Sequence, residues 1–361
     1  MKGYLLLKDG TSFEGELHGK GSATCGELVF NTSMTGYQEV VTDPSYSMQN
    51  VVLTFPEIGI YGTRENSNES SLNQASGLIV KRMAGETWHR LSCERLNDFL
   101  SRRGITAISG IDTRKLTHHI RNFGPQNSII APASMKRLEA EQQLTAMPSM
   151  EGTNLVPGVS CKDIQQHGSG PWRIGLLDFG VKSSIINELT RRGCLVYQFP
   201  WNTPFDTLKS YDLQGIMLSN GPGDPAVVPH VQEIVTECIA TWPTMGICLG
   251  FQILALSLGA TTYKLPFGHR GGNHPVKDLQ TGRVWITAQN HGFAVEAKSL
   301  PGDHVELTHC SLFDQSLEGF QLKNRPVFGV QFHPEAGPGP SDAKPLFDRF
   351  IAEMEDHDAK R

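Results

Sequence analysis

The stretch Gly246-Ile247-Cys248-Leu249-Gly250 decides the fold, because it places a cysteine at the junction of a predicted strand and a predicted helix. Apolar residues precede it, and a helix-like run over 251–258 follows and ends at Gly259. In this context G-x-C-x-G is the cysteine form of the nucleophile elbow, a sharp turn that presents the side chain at a helix N-terminus. Free N–H groups there favour a thiolate. A buried structural cysteine is the alternative interpretation of this pattern alone.

Glycine and proline residues concentrate near the middle of this 361-residue chain, in the stretch 148–171. Such residues break helices and strands, and the chain is longer than one hydrophobic core usually supports. We therefore predict three parts: a smaller α+β domain over residues 1–150, a linker over 151–170 and an α/β domain over 171–361.

Each predicted domain has its own pattern of elements. The first should contain a hairpin at 4–17 and helices over 92–103, capped by Ser92, and over 112–122. In the second, strands alternate with helices up to residue 258, which is typical of a mainly parallel sheet flanked by helices. Strands between 284 and 332 have no helices between them and should be antiparallel additions. A closing helix is expected over 342–355.

Composition excludes several classes of protein. The net charge is −5, which disfavours a broad nucleic-acid surface. Seven cysteines without a C-x-x-C pair argue against a disulfide framework or a zinc knuckle, so no metal is expected. The N-terminal apolar run is too short for a signal peptide, and no run reaches the length of a membrane span. We expect a cytoplasmic protein.

A catalytic thiolate needs a base and a group that orients the base. His333-Pro334-Glu335 follows the apolar strand 328–332 and supplies both. Residues two apart in extended chain share a face, so His333 and Glu335 can point the same way. Taken alone, His-Pro-Glu is more often a turn that ends a strand, but the elbow cysteine reverses that preference.

Acyl transfer also needs donors for an oxyanion. The loop 219–224 follows a strand and should lie at the same sheet edge as Cys248, where Gly221 can offer its N–H and Leu249 is the usual second donor of an elbow. The G-x-G-x-x-A pattern at 221–226 superficially fits a dinucleotide fingerprint. Two prolines within it and the absence of an acidic residue about twenty positions on exclude that reading, and no Walker A sequence is present.

These motifs resemble a known family. The elbow with Gln252, the Asn-Gly-Pro-Gly loop at 220–223 and His333-Pro334-Glu335 are similar to the class I (triad) glutamine amidotransferases. The first half narrows the resemblance to the family of carbamoyl phosphate synthetase small subunits, through the stretches 31–39, 42–46 and 111–117. The stretches 268–276, 288–293 and 311–314 resemble the same family, so the likeness covers nearly the whole chain.

The resemblance implies a role for each matching residue. Cys248 would attack the glutamine amide and form a γ-glutamyl thioester, His333 would transfer protons and Glu335 would orient His333. Phe251 departs from the family, which commonly has His at that position. Gly221 and Leu249 would hold the oxyanion, and the residues implied to bind glutamine are Ser45, Gly221, Gly223, Leu249, Gln252, Asn290, Gly292 and Phe293.

The resemblance also implies a partner. The chain carries a predicted ammonia-releasing site but no recognisable ATP site, so a large synthetase subunit would hold ATP and Mg²⁺ and receive ammonia for carbamoyl phosphate synthesis, in arginine or pyrimidine production. No cofactor is expected on this chain. Two alternatives are the glutaminase subunit of a different amidotransferase, disfavoured by the additional N-terminal half, and a non-catalytic assembly subunit, disfavoured by the intact Cys248, His333 and Glu335.

Overall fold

The computed structural model describes residues 1–71 and 74–360, without the side chain of Pro229. The chain folds into two compact units, Met1–Met150 and Glu151–Arg361. Each unit has its own apolar core. Among the described residues, no helix combines the length and the apolar character needed to cross a lipid bilayer.

The N-terminal unit is built around a closed barrel of strands. Going round, the order is β1-β2-β8-β6-β4-β3-β9, and β9 pairs back with β1. The strands are β1 Lys2–Leu7, β2 Ser12–Gly19, β3 Thr24–Asn31, β4 Gln49–Leu53, β5 Glu57–Ile58, β6 Gly77–Ile79, β7 Arg82–Met83, β8 Thr106–Ser109 and β9 Asn127–Pro132. The helices are α1 Tyr37–Thr42, α2 Leu96–Arg103, α3 Thr113–Phe123 and α4 Arg137–Ala146.

The second unit contains an open ten-stranded sheet in the order β10-β12-β11-β13-β14-β19-β18-β17-β15-β16. Its strands are β10 Gln165–His167, β11 Trp172–Asp178, β12 Cys194–Pro200, β13 Gly215–Leu218, β14 Thr244–Ile247, β15 Thr262–Asp278, β16 Val284–Val295, β17 Val305–Ser311, β18 Leu317–Leu322 and β19 Val327–Val330. Its helices are α5 Val156–Val159, α6 Ser183–Arg191, α7 Phe205–Lys209, α8 Pro229–Thr241, α9 Leu249–Ser257 and α10 Pro345–Asp358.

The fold class predicted from the sequence is confirmed. Strands β12, β11, β13, β14 and β19 run parallel at the centre of the sheet, and the antiparallel strands are added at both ends. Four-residue strands such as β13 and β14 are buried on every residue, as expected for a parallel sheet covered on both faces. The carboxyl ends of these parallel strands meet at one edge, where ligands bind in open α/β sheets.

Three sequence-based expectations need correction. The segment 151–170 is not a bare linker, because α5 lies in it and β10 pairs with β12. Helix α2 begins at Leu96 rather than near Ser92, because a bridge between Thr63 and Glu94 holds the preceding residues extended. Strand β19 is antiparallel only to β18, since on its other side it pairs in parallel with β14.

Candidate active site

The predicted nucleophile lies in a strained turn between β14 and α9. Cys248 has φ 55° and ψ −105°, an uncommon conformation for a residue other than glycine. Its N–H donates to Val330 O at 2.9 Å, and the Gly250 N–H donates to Ser219 O at 3.0 Å. A Cβ at position 250 would lie 2.2 Å from Leu218 O, so only glycine permits this approach. Neighbouring strands on both sides of β14 therefore hold the elbow in place.

His333 and Glu335 follow β19, the strand next to β14. The His333 N–H donates to Ala288 O at 2.9 Å, which fixes the backbone against β16. Nδ1 of His333 lies 2.6 Å from Oε1 of Glu335, and both side chains are almost fully buried. With Nδ1 engaged by the carboxylate, Nε2 is the ring atom left for proton transfer.

The electrostatics of the pair favour a charged imidazole. Burial lowers the pKa of His333, but Glu335 and then Cys248 raise it, to about 10. Burial raises the pKa of Glu335, but Lys182 and His333 lower it to about 2. Nε2 of His333 has no hydrogen-bond partner among the described residues, although Cys248 lies close enough to raise the pKa of the imidazole. Nucleophile–base contacts are often this loose before substrate binds.

Lys182 is a buried cation beneath the triad that sequence reasoning missed. Its Nζ lies 3.0 Å from Oε1 of Glu335 and also donates to Ala336 O. Its backbone N–H donates to the Asn220 side chain at 3.1 Å. Its position in the sequence could have indicated this role, because Lys182 follows β11 and so lies at the edge of the sheet where Cys248 and His333 lie. Glu335 is thus held between a lysine and a histidine.

The two predicted oxyanion donors lie next to each other. Leu249 is the first residue of α9, where a backbone N–H has no partner within the helix. A Cβ at Gly221 would lie 2.1 Å from Phe179 O and 2.9 Å from the Leu249 side chain. Gly221 is therefore packed against both the turn after β11 and the first residue of α9. The two residues expected to donate to an oxyanion are thus neighbours in the structure.

Strand β16 brings three predicted glutamine-binding residues beside the elbow. The Cys248 thiol donates to Asn290 O, with a sulfur–oxygen distance of 3.6 Å. The side-chain amide of Gln252 on α9 donates to Phe293 O at 2.8 Å and to Gln331 Oε1 at 2.9 Å. Gly292 lies between Asn290 and Phe293, and a Cβ there would be 3.3 Å from an Arg270 guanidinium nitrogen. These contacts hold β16 against α9 through the Phe293 carbonyl and leave the Phe293 side chain out of the hydrogen bonds.

The remaining predicted site residues are Gly223 and Ser45. Gly223 has φ +94°, and its Cβ position would lie 3.1 Å from Thr153 O. The Asp224 carboxylate accepts from the Gly152 N–H at 3.0 Å, so the segment expected from the sequence to be a linker supports the Gly221–Gly223 loop. Ser45 belongs to the N-terminal unit, in a 3-10 turn whose N–H donates to Asp43 Oδ1 at 2.8 Å.

Comparison with known proteins gives two family matches that together span most of the chain. A model described as glutamine amidotransferase class-I matches residues 175–353. A model described as carbamoyl-phosphate synthase small chain, CPSase domain, matches residues 5–130. The first match contains every triad residue, and the second contains Ser45.

Full-length relatives agree with these matches. A carbamoyl phosphate synthase small chain of Bacillus caldolyticus is 44% identical over 360 residues, covering 100% of this chain and 98% of its own length. That of Listeria monocytogenes is 45% identical over 353 residues, covering 98% and 97%. That of Photorhabdus laumondii is 45% identical over 372 residues, covering 98% and 96%. This chain therefore belongs to the carbamoyl phosphate synthase small chain family of glutamine amidotransferase subunits.

Proposed function

We propose that this chain hydrolyses L-glutamine through a γ-glutamyl thioester on Cys248 and passes the ammonia to a large synthase subunit. One observation carries the proposal. A cysteine in a strained elbow lies beside a histidine whose Nδ1 is 2.6 Å from a buried carboxylate on the neighbouring strand. Family membership supports the same reaction class.

The proposed steps follow from this geometry. The Cys248 sulfur attacks the side-chain amide carbon of glutamine, and the carbonyl electron pair moves to oxygen, which the N–H groups of Gly221 and Leu249 stabilise. His333 gives its Nε2 proton to the leaving nitrogen, the C–N bond breaks and ammonia departs. Water then attacks the thioester while His333 takes its proton. The C–S bond then breaks, glutamate leaves, and the free Cys248 sulfur and the protonated His333 are restored.

Glutamine itself would be held by the residues around the elbow. We assign this role to Gly223, Gln252, Asn290, Gly292 and Phe293, together with the two oxyanion donors. Ser45 is included on the resemblance of the stretch 42–46 and on the family match that contains it. In this assignment Gln252 acts in part by holding Phe293, since its amide donates to that residue's carbonyl.

The name shared by the relatives, a small chain, implies a large one. In the proposed complex the large subunit binds ATP and Mg²⁺, makes carboxyphosphate from bicarbonate and joins it to ammonia that reaches it through an internal tunnel. Enclosure is needed because ammonia released into water would be protonated and would lose its nucleophilicity. The carbamoyl phosphate would serve arginine or pyrimidine biosynthesis in the cytoplasm.

The test is Cys248→Ser, assayed as carbamoyl phosphate formation by the complex with each nitrogen donor. A hydroxyl is nearly isosteric with the thiol but is a far weaker nucleophile beside His333. Glutamine-dependent synthesis should fall by at least about 10²–10³-fold, while synthesis from added ammonia should stay near its normal rate. Cys93→Ser, at an exposed cysteine, is the control and should leave both rates unchanged.

Each contrary result has a defined meaning. Equal loss with both donors would assign Cys248 to structure or assembly. Full retention of glutamine-dependent synthesis would mean that the nucleophile is misassigned and that the chain is a non-catalytic subunit. If the unaltered complex hydrolyses glutamine but makes carbamoyl phosphate from neither donor, the chain belongs to a different amidotransferase.

A further inference from the structure

A second buried cluster of chemically active side chains lies beside the triad, on the antiparallel part of the sheet. It contains His269 on β15, His291 on β16 and Glu318 on β18, none of them more than 5% exposed. His269 and His291 are directly opposite each other in the β15–β16 pair. One ligand atom from each of the three residues lies within 4.8 Å of the other two.

Each of the three side chains is already held through its other polar atom. Nδ1 of His291 is 2.7 Å from Phe293 O, and Oε2 of Glu318 accepts from the Gln289 amide at 2.8 Å. Nε2 of His269 is 3.0 Å from Oδ2 of Asp314. Most metal-binding histidines are held in this way, by an outer hydrogen-bond partner that fixes the tautomer and the orientation of the ring.

The atoms left over are the ones that a metal would use. Among the described residues, His269 Nδ1, His291 Nε2 and Glu318 Oε1 have no hydrogen-bond partner, although all are buried. Buried polar atoms without partners are uncommon and costly, and here three of them belong to one cluster. Two imidazole nitrogens and one carboxylate oxygen form a ligand set that suits zinc.

We propose that His269, His291 and Glu318 bind a Zn²⁺ ion, with a fourth position left for water. Tetrahedral ligands of zinc are about 3.3 Å apart, so the side chains need to close by at most about 1.5 Å, and by about 0.3 Å between His269 Nδ1 and Glu318 Oε1. This departs from the sequence-based expectation that the chain binds no metal. The ligands come from three separate strands, so no short C-x-x-C or H-x-x-H motif announces them.

The competing occupant is a proton. Burial lowers the pKa of His269, but Asp314 and Glu318 raise it to about 9, so an imidazolium between two carboxylates is the metal-free alternative. Nδ1 of His269 is, however, 3.6 Å from Oε1 of Glu318, too long for a hydrogen bond. A proton there would also leave Nε2 of His291 without a partner, whereas one metal ion would satisfy all three atoms.

The site would act on the triad through position rather than chemistry. His291 lies between Asn290, whose carbonyl accepts from the Cys248 thiol, and Gly292 in the proposed glutamine-binding segment. An ion that fixes the His291 ring would also fix this part of β16. The proposal of a zinc site does not depend on the proposed reaction with glutamine.

The experiment measures metal in the full-length chain, purified through a tag without histidine. Elemental analysis should find about one zinc per chain. After removal by a chelator, added Zn²⁺ should rebind and raise the unfolding temperature. Glu318→Gln and His269→Gln should each weaken zinc binding by at least about 100-fold. Glu306→Gln is the matched control, because that glutamate also accepts from a glutamine amide, Gln321, but lies outside the cluster.

Several outcomes would overturn the proposal. These are no zinc after purification with no measurable rebinding, zinc that both cluster variants retain, and equal loss in Glu306→Gln. If the cluster variants fail to fold, Co²⁺ can replace Zn²⁺ in the unaltered chain. Tetrahedral visible bands without a thiolate charge-transfer band would support the site. A thiolate charge-transfer band would place the metal on a cysteine and contradict the proposal.

Discussion

At the scale of single residues, the triad of Cys248, His333 and Glu335 depends on the charge of Lys182. Oε1 of Glu335 is 2.6 Å from His333 and 3.0 Å from Lys182, and all three side chains are buried. Removing one partner from a buried ion pair leaves the other charge uncompensated in a medium of low polarity. Lys182 therefore keeps Glu335 ionised, and an ionised Glu335 keeps His333 charged.

Replacing Lys182 by Met should expose this dependence. In the unaltered chain the folded-state pKa of Glu335 is about 2, below the ordinary glutamate value of 4.5. The contribution of Glu335 to stability is therefore present above about pH 4.5 and is lost as the pH falls toward 2. Without Lys182 the pKa should rise, and the free energy of unfolding at pH 7.5 should fall by about 3–5 kcal/mol.

Denaturant unfolding at several pH values would measure the effect. The deficit relative to the unaltered chain should be largest near neutral pH and shrink on acidification, as Glu335 becomes neutral. Lys344→Met is the control, because the Lys344 side chain is about one-third exposed and its partner Glu188 keeps Arg192 as a second cation, so its loss should cost about 0–1 kcal/mol. Equal costs for the two variants, or a deficit independent of pH, would show that the Lys182 charge is not what matters.

Cys248 should react with iodoacetamide faster than the other cysteines near neutral pH. Burial raises the pKa of Cys161, Cys194 and Cys238 to about 12, whereas Cys248 lies beside a charged imidazole. Because the pKa of His333 is about 10, the advantage should persist through mildly alkaline pH and decline above about pH 10.

Brief labelling followed by mass spectrometry would rank the sites. The informative comparison is with Cys93, the exposed cysteine, which a reagent reaches without entering the fold. Excess glutamine should slow the labelling of Cys248 and leave Cys93 unaffected. Faster labelling of Cys93 at every pH tested would contradict the environment inferred for the nucleophile.

At the scale of elements, the elbow is a product of close approach between strands and a helix. Gly246 and Gly250 let α9 begin directly against β13 and β14, where a Cβ would meet backbone atoms at 2.9 Å and 2.2 Å respectively. The turn is local in sequence, but what holds it is the pairing of β14 with both β13 and β19. The positive φ of Cys248 is thus maintained by its neighbours rather than by its own preference.

Gly250→Ala should damage both the fold and the reaction. The added methyl would meet Leu218 O and force β13 and α9 apart, at a cost of about 1–3 kcal/mol in stability. Glutamine hydrolysis should fall more than stability alone explains, because the Cys248 sulfur and the Leu249 N–H move together. Gly158→Ala, in α5 with no atom near its Cβ position, is the control and should be neutral or slightly stabilising. Thermal unfolding and glutaminase rates of the two variants would decide, and full activity in Gly250→Ala would refute the role of close approach.

The same distinction explains what could be predicted from the sequence. The elbow and the His333–Glu335 pair could be predicted, because each is a short motif at the end of an apolar strand. Lys182 and the barrel closure could not, because one is a lone residue and the other depends on pairing between distant strands such as β1 and β9. The 17-residue strand β15 escaped notice since its glycines, prolines and histidines hide the alternation that marks a strand.

At the scale of the whole molecule, the chain combines two units with separate cores and separate architectures. The N-terminal unit closes its sheet into a barrel, and the C-terminal unit leaves its sheet open, with the triad at the carboxyl ends of parallel strands. We propose that Ser45 of the N-terminal unit binds glutamine, on the resemblance of the stretch 42–46 and on the family match that contains it.

Ser45→Ala should therefore raise the KM for glutamine. Loss of one neutral hydrogen bond corresponds to about a 2- to 12-fold increase, with ammonia-dependent synthesis unchanged. Ser47→Ala, two residues further along the chain, is the control. Steady-state kinetics of the complex with glutamine and with ammonia would test the assignment. An unchanged KM would reduce Ser45 to a member of the turn capped by Asp43.

The position of β19 in the sheet has a consequence for how the molecule is made. Strand β14 delivers Cys248, but its partner β19 and the following His333 are near the C-terminal end of the chain. Synthesis proceeds from the N-terminus, and domains fold as they emerge. A growing polypeptide on the ribosome thus carries Cys248 for about 4–17 s before His333 is added, at roughly 5–20 residues per second, and during that time β14 cannot pair with β19. The order of the strands along the chain therefore separates in time the synthesis of the nucleophile from the synthesis of its base.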